Sequence, residues 1–521
     1  MPRSPLSRRR LFVLGAGIAG AGLLAASRLP ADRAAAAPAL PGHPFTLGVA
    51  SGDPRPDGVV LWTRLAPVPL AEDGFGGMPR RAVPVRWEVA EDESMRRIVA
   101  QGTAVAQPDL AHSVHVEVDG LRPGRDYWYR FGTGTDESPV GRTRTAPGAT
   151  DPTPVTFAFV SCQQWDAGFY TAYRDLAAQY VDVVHHLGDW IYENPIAATG
   201  GKRNLATPLP AVHNQTTMTL TQYRLRHALV ASDPDFVAAR ASAPFVATVD
   251  DHDVEDNWAG VTSPMGTTPE DFLRRRAAAF RAYYEHVPLR PSSLPTGPDM
   301  RLYRALPYGR LATFFVLDER QYRSPENIGK RDDPGRTMLG DAQERWLLDA
   351  LAGSGATWQL MANQTMMFQL DRLTDPGLQQ LNPDSWDGYA AARGRLFAGL
   401  AERKVRNPVV LSGDAHVHCA ADLKADFADP DSATIGAEFL GTSISSGGDG
   451  SDLTAAGKEW LAANPHLRFV NSQRGYVRCR VEPAQFRADY VVLDKVTTPG
   501  GTASVRRSFV VESGRPGIQE A

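Results

Sequence analysis

Val410-Leu411-Ser412-Gly413-Asp414-Ala415-His416-Val417-His418 is the stretch on which the reading of this chain turns. An apolar run enters a glycine and then delivers an acid and two imidazoles at alternating positions. That pattern describes a buried strand ending in a loop that presents oxygen and nitrogen donors. Two upstream stretches share the design: Val183-Val184-His185-His186-Leu187-Gly188-Asp189-Trp190-Ile191-Tyr192-Glu193 and Phe245-Val246-Ala247-Thr248-Val249-Asp250-Asp251-His252-Asp253. Three strand ends bearing acids and histidines imply one metal site assembled at the edge of a sheet.

Outward from these stretches, strands alternate with helical segments over residues 153–500. Thr156–Cys162, Asp182–Leu187, Phe314–Asp318, Trp358–Asn363 and Val409–Ser412 read as strands. Ala172–Tyr180, Thr221–Leu229, Glu270–His286 and Asp341–Leu351 read as helices. The expected fold class is α/β, with two packed sheets flanked by helices and donors at strand C-termini. Residues 501–521 are expected to form a C-terminal strand and tail. Upstream, residues 42–147 have a different texture of short strands and Gly/Pro turns, the mark of a β-sandwich. Gly120-Leu121-Arg122-Pro123-Gly124, followed by Tyr127-Trp128-Tyr129, resembles fibronectin type III modules. Pro147–Pro154 is the expected linker.

The N-terminus has three parts of an export signal: Ser7-Arg8-Arg9-Arg10-Leu11-Phe12, a Gly/Ala-rich apolar run from Val13 to Ala26, and Ala34–Ala37. Residues 1–37 are therefore expected to be a twin-arginine signal, with the twin-arginine export machinery as a partner and a secreted, extracellular product. A chain of 521 residues is long for a single core. Its net charge of −4 carries no nucleic-acid footprint. Of the three cysteines, Cys419 and Cys479 are candidates to pair with Cys162 left free, and all three reduced is the equal alternative. A monomer is expected.

The candidate ligands are Cys162, Asp189, Tyr192, Asp251, Asn363, Asp414 and His416, each just past a strand. Asp189 is the natural bridging carboxylate between two cations. Cysteine thiolate and tyrosine phenolate are strong anionic donors suited to a trivalent or transition ion. Asp251, Asp414 and Asn363 are hard oxygen donors suited to calcium or magnesium. Gln364, beside Asn363, is an equally capable oxygen donor.

As an ordered set, Ser161-Cys162, Gly188-Asp189-Trp190-Ile191-Tyr192-Glu193, Asp250-Asp251-His252-Asp253, Asn363-Gln364 and Ser412-Gly413-Asp414-Ala415-His416 resemble the alkaline phosphatase D (PhoD-like) family. That family lies within the calcineurin-like metallophosphoesterases. Gly48–Pro54 resembles its N-terminal module, so the likeness covers nearly the whole chain after the signal. The resemblance implies Fe(3+) on Cys162, Asp189, Tyr192 and His416, and Ca(2+) on Asp189, Asp251, Asn363 and Asp414. Where ordinary superfamily members have Asp-x-His, this chain has Cys162-Gln163-Gln164, a departure shared by the PhoD branch that favours iron. His252 would contact the phosphate and leaving group beside Asp251, and Arg224 or Arg226 would touch the phosphate.

His185 and His186 are expected to be structural, and His418 either a ligand or a support behind one. Asp250 and Asp253 would orient neighbours or bind a second calcium, and Glu193 would orient a neighbour. The implied activity is hydrolysis of phosphate monoesters, and of diesters, by a hydroxide whose pKa a cation has lowered. The substrate is a phosphate ester, a class that includes phospholipids and cell-wall polymers. A phospholipase D-type phosphodiesterase is the alternative reading, and an adhesion protein built on the sandwich is a third.

Overall fold

The computed structural model describes Leu40–Ala521 apart from Pro376, so the expected signal segment lies outside the described residues. Two sheets face one another. The larger has ten strands, and its centre is the parallel set Val155–Val160, Val183–His186 and Phe245–Ala247. The second has seven strands, and its centre is the parallel set Ala312–Val316, Trp358–Ala362, Pro408–Ser412 and Thr434–Leu440.

Strand alternation decides what each layer packs against. Phe157, Phe159, Leu360, Val409 and Leu411 point into the core between the sheets, with Phe314, Phe439 and Tyr490. Their neighbours Ala158 and Val160 turn outward to helices bearing Tyr173, Tyr223, Phe236 and Phe280. Met361 and Val410 likewise turn to Leu347, Leu351 and Leu396 on the other flank. Both faces of each central strand are covered, which is why these strands read as unbroken apolar runs. Thr171–Ala178, Leu220–Ala231, Pro269–His286 and Gly340–Gly353 match the four expected helices closely. Further helices at Pro234–Ser242 and Ala390–Glu402 lie outside the expected segments.

The N-terminal region is β-rich, and it shares a sheet with the rest of the chain. Val49–Arg55 pairs in parallel with Phe245–Ala247, and Gly58–Arg64 and Ser113–Asp119 extend that edge. Val59, Leu61, Val114 and Val116 on these strands pack against Val85, Val89, Tyr129 and Phe131 of a five-stranded sheet. One layer of this sandwich is thus the outer third of the large sheet, and the sheet crosses the expected linker. Arg304 bonds Asp53 at 2.7 Å and Arg290 bonds Glu117 at 2.6 Å across the same seam. At the opposite edge, Ala503–Glu512 and Arg515–Glu520 add the last two strands.

His185 is a core residue, stacked 4.2 Å from the Phe314 ring. His227 is fully buried, and neither of its ring nitrogens has a partner. Burial pulls both imidazoles down to about 3. They are neutral in the folded chain but protonate near 6.5 once unfolded. Stability is therefore complete above pH 6.5 and lost as pH falls toward 3, at about 1.4 kcal/mol per pH unit for each histidine. Melting temperature is expected to drop steadily from pH 7 to pH 5, and a flat profile there would contradict this.

Candidate active site

The donor loops leave the strands through backbone that few residues adopt. Cys162, Asp189, Asp414 and His416 all have positive φ, at 57°, 58°, 68° and 55°. Such left-handed positions cluster where a site over-determines its loops. Gly188 is required on two counts: its φ is 118°, and a Cβ there would lie 2.3 Å from Asp250 Cβ. The Cys162 and Asp189 loops lock together through Cys162 N–H to Gly188 O at 3.2 Å and Gln163 N–H to Asp189 O at 3.1 Å. Asp253 clamps the third loop, accepting from Asp189 N at 3.1 Å, Asp250 N at 3.0 Å and Ile191 N at 3.3 Å. Burial pushes its carboxyl up to about 8.

These loops bring the donors into three overlapping groups. Ligand atoms of Cys162, Asp189 and His416 lie within 4.8 Å of one another, as do those of Asp189, Asp251 and His252, and those of Asp250, Asp251 and Asp414. Asp189 joins the first group to the second, and Asp251 joins the second to the third. Tyr192 Oη donates to Asp189 Oδ2 at 2.8 Å and lies 3.0 Å from His416 Nε2. The Asn363 amide nitrogen is turned to Thr365 O at 2.5 Å, which leaves Asn363 Oδ1 buried without a protein donor. The amide nitrogen of Gln364 is fastened to Thr248 Oγ1 and Leu317 O, each at 2.8 Å.

The electrostatics are those of a site with excess negative charge. Burial, then Asp189 and Asp414, pushes the Cys162 thiol well up, and burial with Asp189 does the same to Tyr192. Asp189 and Asp414 are raised well above the carboxylate range by burial and by neighbouring carboxylates. Asp250 is driven up to about 7 by burial despite the cation beside it. Burial also opposes charge on Asp251, but Arg320 and His252 outweigh it and hold that carboxyl low. His252 is raised well above its usual value: burial opposes the charge, and Asp251, Asp189 and Glu193 prevail. A bound cation inverts each upward shift on a coordinating group. Orphaned oxygens, convergent carboxylates and a thiol–phenol–imidazole trio make this donor set a good fit for metal ions.

Sequence reasoning missed the cation at its centre. Arg320 is fully buried, bonds Asp250 and is bidentate with Asp384 at 2.8 and 2.9 Å. Its guanidinium also lies 3.4 Å from Asp251 and 3.9 Å from Asp414. The signal was present, because Asp318-Glu319-Arg320 follows an apolar strand just as the other donors do. Glu193, expected to orient a neighbour, accepts from His252 Nδ1 at 2.8 Å, and the His252 ring stacks 4.1 Å from Tyr192.

Several expected contributors are held elsewhere. Arg224 bonds Glu285 at 2.7 and 2.6 Å and Asp109 O at 3.3 Å, so its guanidinium is committed outside the donor cluster. Arg226 does reach the site's periphery, donating to the carbonyls of Tyr192, Asn194 and His213. Residues two apart on a helix point to different sides, which is why the pair separates. His418 Nδ1 accepts from Thr442 N at 3.1 Å, and His418 belongs to none of the three donor groups. His186 Nδ1 accepts from Gly188 N at 3.4 Å. Cys162, Cys419 and Cys479 are all free and buried, Cys419 and Cys479 lying in different sheets and different core layers.

Two packed sheets with acids, an imidazole and a thiol at their strand ends define the class, a phosphoester hydrolase of mixed α/β fold. A model of the PhoD-like phosphatase matches residues 157–490, and a model of the PhoD-like phosphatase N-terminal domain matches residues 31–147. Alkaline phosphatase D of Bacillus subtilis (strain 168) is 49% identical over 530 residues, spanning 98% of this chain and 89% of that one. A solved structure of PhoD superposes with a TM-score of 0.87 at 48% identity, covering 93% of each chain. The chain belongs to the PhoD-like phosphatase family and is an alkaline phosphatase D-like enzyme that hydrolyses phosphoric esters.

Proposed function

We propose that this phosphatase is an exported, monomeric, metal-dependent enzyme acting on phosphate monoesters and also on diesters. The observation that carries the reading is the overlap of the three buried donor groups through Asp189 and Asp251. Cys162, Asp189, Tyr192 and His416 would hold a ferric ion; Asp189, Asp251, Asn363 and Asp414 would hold calcium. When bound, the cations polarise the phosphoryl oxygens and lower the pKa of water. Export rests on the twin-arginine pattern in the first 37 residues. Among the described residues, no helix is long and apolar enough to cross a membrane.

The chain's own part begins with His252. Its Nδ1 donates to Glu193, so in the doubly protonated ring Nε2, 3.6 Å from the exposed Asp256 carboxylate, is the nitrogen left to give a proton to the leaving oxygen. Burial opposes the second proton, and the carboxylates of Asp251, Asp189 and Glu193 favour it, raising the imidazole well above its usual value. As the ester oxygen departs, His252 donates to it and the alcohol leaves neutral. Arg320 keeps Asp250, Asp251 and Asp414 turned toward one another. His252 and Asp414 have side chains 15% and 18% exposed, which sets where substrate enters.

Two measurements test this account. Metal analysis combined with chelation is expected to find iron and calcium, and calcium removal is expected to abolish phosphatase activity. Full activity in excess chelator with low metal content would overturn the assignment. A substrate panel that favours choline release from phosphatidylcholine by orders of magnitude would replace the monoesterase reading with a phospholipase D-type one. The proton-donor role is tested by His252→Ala. Loss of about 10²- to 10⁴-fold is expected on an alkyl phosphate and much less on p-nitrophenyl phosphate, whose leaving group needs no proton. Equal losses on both would assign His252 a different role.

A further inference from the structure

The three donors of the thiol–phenol–imidazole pocket come from three separate strand ends, and one small device touches all of them. Arg474 is 3% exposed, yet among the described residues no carboxylate lies within ion-pair distance of it. Its two terminal nitrogens donate instead to oxygens of the loops around the pocket. Nη2 donates to His416 O at 2.8 Å and to Ser472 O, and Nη1 donates to Ser443 Oγ at 2.7 Å and to Ser446 O. Ser443 Oγ also donates to Ser446 O at 2.6 Å. Gly447, at φ +89°, lets the loop run beside the guanidinium, since a Cβ there would lie 2.9 Å from Nη1.

Ser446 carries this anchoring to the other two donors. It is fully buried, and its hydroxyl lies 2.9 Å from Tyr192 Oη and 2.8 Å from Cys162 O. Its own oxygen accepts from Gln164 N at 3.2 Å, so its single proton is free to be given. The Cys162 carbonyl has a second donor in Ser446 N at 3.4 Å and is not orphaned if that proton goes elsewhere. A deprotonated Tyr192 oxygen can only accept, and a charged acceptor makes the stronger bond.

We propose that Ser446, fixed in place by Arg474, is a positioning residue that donates its hydroxyl proton to the Tyr192 phenolate and thereby sets the donor strength of that ligand. The inference rests on the ferric reading above. Groups that hydrogen-bond a ligand tune the metal through it. A hydrogen bond draws electron density from the phenolate and lowers its filled orbital, so excitation from that orbital into iron costs more energy. Taking the bond away narrows the gap.

The test uses the full chain loaded with iron. Its phenolate-to-iron absorption band is compared between the wild-type chain and Ser446→Ala at equal iron content. The band is expected to move to longer wavelength in Ser446→Ala, and the iron reduction potential to become more negative. A band that stays in place with iron fully retained overturns the role of Ser446 while leaving the ferric reading intact. An iron-replete wild-type chain with no such band overturns both together. Arg474→Met, which frees His416 and Ser446 at once, is expected to release iron to a chelator about 10- to 100-fold more readily. Unchanged retention overturns the anchoring role of Arg474.

Discussion

Asp189→Asn is expected to lower kcat/KM on a phosphate monoester by about 10³-fold or more, roughly 4 kcal/mol of transition-state stabilisation. The substitution targets charge. Asparagine is among the residues that best tolerate the left-handed backbone that Asp189 adopts at φ 58°, and it matches the carboxylate in size. What it removes is the anion common to two donor groups, one with Cys162 and His416 and the other with Asp251 and His252. The amide oxygen could accept only one of the two bonds now made by Tyr192 Oη to Oδ2 and by His252 N to Oδ1, and the amide nitrogen would face the other donor. The left-handed turn is therefore tolerated while the pocket loses its shared charge and one accepted bond. Steady-state kinetics with metal content measured alongside decides the matter, and a variant within tenfold of wild type would overturn the bridging role proposed for Asp189.

The second large effect belongs to Arg320. Arg320→Met is expected to destabilise the metal-free chain by about 3–5 kcal/mol, the usual cost of leaving buried charges without their partner. Asp250 and Asp384 would lose direct ion pairs, and Asp251 and Asp414 a cation within 4 Å. Lysine is a poor replacement because it cannot reproduce the bidentate fork to Asp384. Calcium is expected to restore part of the lost melting temperature in Arg320→Met, since a cation among Asp250, Asp251 and Asp414 offsets the same repulsion. An unchanged melting temperature with or without calcium would show that the carboxylates do not depend on this guanidinium.

Much of the architecture was legible because burial on both faces of a parallel sheet writes an unmistakable apolar run. The donors just past those runs could be gathered into one site without knowing any distance. Asp189, Asp251, Asp414, His416 and Cys162 all follow this rule and converge. Arg320 follows it too, but a cation among carboxylates was not sought, and charge alone does not tell a buried ion pair from a solvated one. Ser446 and Arg474 were illegible for another reason: they act through backbone carbonyls and one hydroxyl, and such bonds leave no residue-type pattern. The merging of the N-terminal strands into the large sheet was equally hidden. Alternation says that Val49–Arg55 has a buried face, but not that its edge neighbour is Phe245, nearly two hundred positions away. Arg224 and Arg226 lie two apart on one helix, and nothing in the sequence says which of them turns to the site; Arg224 is committed to Glu285, whereas Arg226 reaches the carbonyls of Tyr192 and Asn194.

The left-handed backbone at Cys162, Asp189, Asp414 and His416 bears on how the proposed metal site would choose among ions. Each such residue costs on the order of 1–2 kcal/mol relative to ordinary backbone, and folding alone supplies it. Folding thus fixes the backbone on which the proposed ligands stand. A flexible cage contracts around whatever enters, so selection follows charge density. A rigid one admits ions by radius and preferred geometry, and an ion of the right charge but wrong size is left under-coordinated. For the cations proposed above, conformations fixed in four peptide units would add a constraint of size and geometry to the selection that the ligand atoms make by their chemistry.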